Sequence, residues 1–189
     1  MRAALHWVLL LALAGCASAP TSDEYAETIA LFRGAGQSAK FFGDSYGYAV
    51  FPTIGKGGLV VGGAHGLGRV YAKGAHVGDA TVTQLTVGLQ LGGQAYSQII
   101  FFQDKRAFDE FTTGEFEFGA QATAVAITAG ASAQATTGGT SAGASSAGAP
   151  GHASTAGSYQ KGMAVFTVAK GGLMYEASLG GQKFGYKPK

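Results

Sequence analysis

An α+β fold is predicted, with a strongly curved, Gly-rich antiparallel sheet or barrel-like β domain, an N-terminal helix and one short surface helix. Three observations predict it. Helical spacing is confined to residues 22–42 and 104–111, while short runs of Val, Ile, Phe and Tyr punctuated by glycine fill most of the remainder. The chain also holds 32 glycines, more than hairpin turns consume. Glycines within strands mark bulges, bends or close backbone approach, and a curved sheet needs such positions. At 189 residues, one domain with a sizeable core is expected.

The first element is an export segment. Met1 and Arg2 precede an apolar run from Val8 to Ala14, which is shorter than the roughly 20 residues of a membrane-spanning helix and ends in small residues. Residues 1–15 are therefore expected to be a cleaved signal peptide. Cys16 is the one cysteine, so no intrachain disulfide can form. The quartet Leu13, Ala14, Gly15, Cys16 resembles the lipobox of bacterial lipoproteins, which implies a Cys16 carrying palmitate-like acyl chains and a tether at 16–21. An ordinary signal peptide with an incidental cysteine is the alternative. Ala17, where an aspartate would favour the inner membrane, implies an outer-membrane lipoprotein facing the periplasm, with surface exposure as the other address.

Within the domain at 22–189, Tyr25, Ile29 and Phe32 advance by four and three residues, as in an amphipathic helix. Ser22 is the expected cap, with Asp23 and Glu24 in the favourable first turn. Gly34 and Gly36 predict a break, followed by a short helical piece through Lys40 to Phe42. Strands are predicted at 48–52, 58–63, 68–71, 82–91, 95–102, 118–128, 158–168, 172–179 and 182–186. In the fourth of these, Val87, Leu89 and Leu91 predict one buried face. Ala107, Phe108 and Phe111 share the face of a short helix. The stretch 129–157 is almost wholly Ala, Gly, Ser and Thr, with too little apolar surface to offset its ordering entropy, and is expected to be a mobile loop.

Charge is sparse, 13% of residues against about 25% in an average protein, with a formal net of +2. That balance excludes bulk attraction to nucleic acid. Its distribution is uneven: no acid lies between Asp44 and Asp79, where Lys56, Arg69 and Lys73 fall, and from Phe118 onward Glu176 stands alone against five lysines. A fold that joins these stretches on one side makes that side basic.

A Lys-Gly-Gly element occurs twice, in "AVFPTIGKGGL" (Ala49–Leu59) and "AVFTVAKGGL" (Ala164–Leu173). It predicts two similar hairpins whose tight glycine turns expose a lysine. The first copy has one extra residue before its lysine, which inverts strand faces unless a bulge absorbs it, and Pro52 is the expected place. A phosphate loop is excluded, because Val50 stands where the first glycine belongs and Gly57 where a hydroxyl residue belongs. The dinucleotide fingerprint fails at Val60 and Tyr71.

The blocks "YAVFPTIGKGGLVVGGAHGLGRVY", "TVGLQLGGQAYSQIIFFQDKRAFDEF", "EFGAQATAVAITAG" and "KGGLMYEASLGGQKF" resemble, in order, the successive blocks of the SYLF domain family, over about Tyr25 to Tyr186. The chain looks like its bacterial lipoprotein branch. The resemblance implies lipid binding: eukaryotic members bind phosphoinositides, some also engage actin, and an N-terminal amphipathic helix contributes to membrane contact. Here the matching helix is acidic at its start and carries only Arg33 and Lys40 as cations. The expected head-group site shifts to Lys56, Arg69, Lys73, Lys170 and Lys183, with anionic phospholipid or phosphoinositide-like head groups as partners and no nucleic acid.

Candidate catalytic groups are few. His65 and His76 with Asp79 match no zinc spacing, His152 falls in the low-complexity loop, and no nucleophile elbow is present. Glu115 and Glu117 read as solvated acids, and Phe51, Leu89, Phe101 and Phe166 as core. The expectation is a non-enzymatic lipoprotein with no catalytic residue, metal or cofactor. Two alternatives are a structural lipoprotein contacting other envelope proteins and a periplasmic hydrolase using His65 or His76.

Overall fold

The structure, a computed structural model, describes residues 18–58, 61–114, 116–118, 125–126 and 159–189, of which 87–91, 116–118, 125–126 and 171–180 are described by their backbone alone. The export segment 1–15, Cys16 and the low-complexity stretch 129–157 lie outside the described residues.

Helix α1 (Ser22–Gly34) begins at Ser22, and its cap lies one residue earlier than expected. Thr21 is the cap: its hydroxyl accepts from the Glu24 amide at 3.3 Å while the Glu24 carboxylate accepts from the Thr21 amide at 2.7 Å. This reciprocal box satisfies two amide donors that a helix start leaves open, which a cap at Ser22 would forgo. The break predicted at Gly34 and Gly36 is present, and α2 (Gly36–Ala39) and α3 (Phe41–Asp44) follow it. Ser38 stitches the break by donating to the Phe32 carbonyl at 2.5 Å.

Strands β1 (Gly47–Gly58) and β2 (Val61–Ala72) form an antiparallel hairpin. The predicted strand at 58–63 is divided: Gly58 ends β1 and residues 61–63 begin β2, with 59 and 60 outside the described residues. Pro52 sits at a bulge, where the register slips between Val50 and Thr53, because proline has no amide to give a ladder. A tight turn at Lys73 and Gly74, both with positive φ (50° and 81°), leads into β3 (Ala75–Phe102).

β3 runs 28 residues, and its sequence had read as two strands. Its first limb, 75–87, pairs antiparallel with β2, and its second, 92–102, pairs antiparallel with β1. Since β1 and β2 are themselves antiparallel, the two limbs run opposite ways, and β3 must wrap around the hairpin tip. Gly92, at φ 119°, lies in that wrap, and Gly57–Gly93 and Gly58–Gly92 pair there without side chains. The 26-residue β6 (Met163–Pro188), which had read as three strands, follows β3 along its outer edge from Phe102↔Met163 to Gly78↔Pro188. Between β3 and β6, α4 (Lys105–Phe111) is capped by the Asp104 carboxylate, which accepts from Ala107 at 2.8 Å. Two short strands complete the sheet: β4 (Phe116–Phe118) beside 182–184 and β5 (Val125–Ala126) beside 166–167. Among the described residues this is one six-stranded sheet, and it does not close.

The sheet curls deeply. The Phe51 and Phe184 rings are 5.8 Å apart between strands three positions distant, where a flat sheet would hold the backbones roughly 14 Å apart. The concave side holds Phe51, Ile54, Val82, Ile100, Phe102 and Phe184, and α4 seals its end with Ala107 and Phe111. The convex side holds Tyr48, Val50, Ile99, Phe101 and Phe166 beneath Tyr25, Phe32 and Phe41 of α1–α3. The single core expected around Phe51, Phe101 and Phe166 is therefore two: Phe51 lies on one side of the sheet and the other two on the opposite side. The Leu89 side chain is outside the description.

Candidate functional site

The two copies of the repeated element flank one strand. Both pair antiparallel with the second limb of β3, Tyr48 and Ala164 across from Phe101. Sequence alignment of the copies is thus offset by one residue in space, and the offset sends Phe51 inward and Phe166 outward. Neither lysine tops a turn. Lys56 lies within β1, with Cα partners Ala64 and Gln94 on the concave side, and is half-buried. Lys170 is the extra residue of a bulge inside β6, between Ala169 and Gly171. Its ammonium donates to Thr53 Oγ1 at 3.0 Å, on the convex side.

The other three candidate cations also separate. Arg69 is on the convex side of β2, its guanidinium 4.3 Å from the Tyr25 ring centroid and 3.5 Å from Ser22 Oγ. Burial pushes the Tyr25 phenol up to about 12, with the Arg69 charge opposing. Lys73 stands in the β2–β3 turn, its ammonium 5.7 Å from the Tyr46 ring, at the end of the sheet away from the wrap. Lys183 is exposed on the convex side of β6, with Cα partners Thr83 and Glu117. The five side chains do not share one face. Lys56 is inside the curl, Lys73 is at its far end, and Arg69, Lys170 and Lys183 are convex.

What the fold does assemble is half of a convex face. Helices α1–α3 cover β1 and the limbs beside it, leaving β2, the first limb of β3 and the end of β6 open. One rung of this flank reads His65↔Thr83↔Lys183 and another Arg69↔Asp79↔Lys187. His65, Thr81, Thr83, Asp79, Lys183 and Lys187 are exposed. Among the described side chains Arg69, Lys183 and Lys187 face the one acid Asp79, with two threonine hydroxyls between them, and the backbone register sets Glu117 of β4 across from Lys183. Sequence reading missed Thr81, Thr83 and Lys187 as part of this surface. The alternating threonines of "TVTQ" at 81–84 were the available signal for an open strand face.

The concave side near the wrap is polar. Gln98 and Gln182 form a reciprocal amide pair, 3.2 Å in each direction. Gln182 also donates to Tyr96 Oη at 3.2 Å and Gln84 Oε1 at 3.4 Å. At 85 and 86 the expected alternation runs in reverse, because Leu85 is 64% exposed and Thr86 only 1%. The Val87, Leu89 and Leu91 side chains lie outside the description.

The two histidines do not converge. His65 pairs with Gly55 and His76 with Tyr71, six residues further along β2, roughly 20 Å of strand. His76 Nε2 lies 3.0 Å from the Gly78 carbonyl and 3.1 Å from Asp79 Oδ1 at the surface. Among the described residues no group of three or more His, Cys, Asp or Glu side chains is placed to hold a metal.

The sheet is curled, with helices on half its convex face and Lys183 and Lys187 exposed on the other half. Residues 83–186 match the family described as Ysc84, Las17-binding protein actin regulator, which is the SYLF family, and the chain belongs to it. The match runs from the first limb of β3 to near the end of β6, more than half of the chain. Membership makes this a domain of the lipid-binding type. No curated protein and no solved structure matches the chain.

Proposed function

We propose that the protein is a non-enzymatic, lipid-anchored component of a bacterial cell envelope, tethered through Cys16, whose SYLF domain binds anionic lipid head groups. The observation that carries this reading is the open convex flank, where Lys183 and Lys187 stand exposed beside His65 and Arg69. Each cation near an acidic bilayer contributes about 1 kcal/mol, so two or three act weakly alone. An acyl tether holds the flank at high effective lipid concentration, which makes weak contacts sufficient. An outer-membrane address facing the periplasm follows from Ala17 after the acylated cysteine. Lys56, inside the curl, is outside this contact surface.

Co-sedimentation with vesicles tests the head-group reading, using residues 16–189 with Cys16→Ser so that neither acyl chains nor the export segment drive binding. Phosphatidylglycerol-containing vesicles are expected to pull the protein down, and salt is expected to release it. Lys183→Glu with Lys187→Glu is expected to weaken binding, and Lys56→Glu to leave it nearly unchanged. Equal loss from Lys56→Glu would refute the assignment to the flank. Incorporation of labelled palmitate that disappears with Cys16→Ser tests the anchor separately.

A further inference from the structure

One end of the sheet is built inside out. Around the wrap, polar side chains occupy the concave interior: Gln84, Thr86, Tyr96, Gln98 and Gln182, with Thr86 and Gln98 each 1% exposed. Apolar side chains stand outside instead, Val61 58% exposed and Leu85 64%. These two are diagonal neighbours on the convex side, since Val61 pairs with Val87 and Gly63 with Leu85. Through the wrap only the backbone pairing is described. Val87 pairs with Leu179, Leu89 with Ala177 and Leu91 with Tyr175, whereas Gln90 pairs with Glu176.

A sheet made for water buries its apolar face and solvates its polar one. Strands that meet lipid carry the opposite order, apolar outward and polar inward. We infer that the wrapped end of the sheet, led by Val61 and Leu85, inserts shallowly into the acyl boundary of an anionic bilayer. This rests on the lipid-binding reading above and names the part of the domain that enters the membrane. One cation borders the patch on its own face: Lys183 lies on the next convex rung from Leu85, with Glu117 of β4 across from it in the register. The inverted order, apolar outward over a polar interior, favours lipid over a second copy of this chain as the occupant, and a lysine at the rim suits acidic head groups.

The test uses the mature chain, residues 16–189 with Cys16→Ser, which lacks Trp7, the one tryptophan of the sequence, so that a newly introduced indole is the only one and no acyl chain drives binding. Leu85→Trp and Val61→Trp are mixed with phosphatidylglycerol vesicles, with and without brominated acyl chains. A blue shift and quenching by the brominated chains are expected for both, and neither for Thr113→Trp, an exposed position just beyond α4. Val61→Asp with Leu85→Asp, both at exposed sites and checked for an unchanged circular dichroism spectrum, is expected to weaken vesicle association about tenfold or more. Vesicle binding without quenching at 61 or 85 overturns the insertion and leaves head-group binding standing. No association with any vesicle overturns both. Concentration-dependent self-association that buries the indole without lipid overturns the insertion in favour of a second copy.

Discussion

Replacing Phe101 with alanine is expected to remove about 3–5 kcal/mol of stability, the range for truncating a fully buried aromatic side chain. Phe101 is 0% exposed and lies where three layers of rings meet. Its ring centroid is 5.5 Å from Phe41 and 4.9 Å from Phe42, the residues by which α3 docks. It is also 6.0 Å from Tyr48 on β1 and 5.9 Å from Phe166 on β6. No neighbour on a rigid sheet can collapse into the space left behind, so transfer and cavity costs add. Against a total of about 5–15 kcal/mol for a domain, this is a large fraction. Urea unfolding should show the midpoint fall with an unchanged slope. A loss below about 1 kcal/mol would mean that the aromatic layer does not hold the helices to the sheet.

Gly68→Val is expected to produce the second large effect, from the opposite cause. A Cβ at Gly68 would sit 2.5 Å from Phe51 Cδ1, 2.6 Å from Phe51 Cε1 and 2.9 Å from the Val50 carbonyl. Phe51 is 0% exposed in the concave core and has nowhere to turn. Overpacking of this kind costs about 1–3 kcal/mol, occasionally more. The cause is specific, so the remedy is too: Phe51→Ala should partly rescue Gly68→Val, with a coupling of about 0.5–3 kcal/mol between contacting sites. Strictly additive losses would show that the ring is not what excludes the side chain.

Particular residues show what the sequence made legible. Asp23 and Glu24 marked the first turn of α1, and Gly34 and Gly36 marked its end, because capping and helix breaking are local chemistry. Pro52 marked the bulge in β1 for the same reason. The long strands were not legible. Gly92, Gly93, Gly171 and Gly172 look like turns, yet they are the points where β3 and β6 bend while keeping their ladder. Whether a glycine pair ends a strand or curves it depends on the neighbouring strand, which the local sequence does not name.

The candidate site follows the same division. Family membership rests on ordered blocks of sequence and was legible. Which lysines share a face was not, because a face is set by register and by each bulge between two residues. Lys56 is two residues from buried Ile54 on the same strand, beyond the bulge, and that spacing was the available sign that it faces inward. Lys183 and Lys187 are four apart on one strand, and alternation puts both on the same side. The exposed Leu85 was hidden by the usual rule that the apolar face of a strand is the buried one.

Lysine acetylation footprinting on vesicles, read by mass spectrometry, tests most directly the claim that the convex flank meets the bilayer. Phosphatidylglycerol vesicles should shield Lys183 and Lys187 severalfold while Lys105 on α4 and Lys161 before β6 react as they do in solution. Shielding of Lys105 and Lys161 with Lys183 and Lys187 left open would place the membrane against the other side of the molecule and contradict the claim.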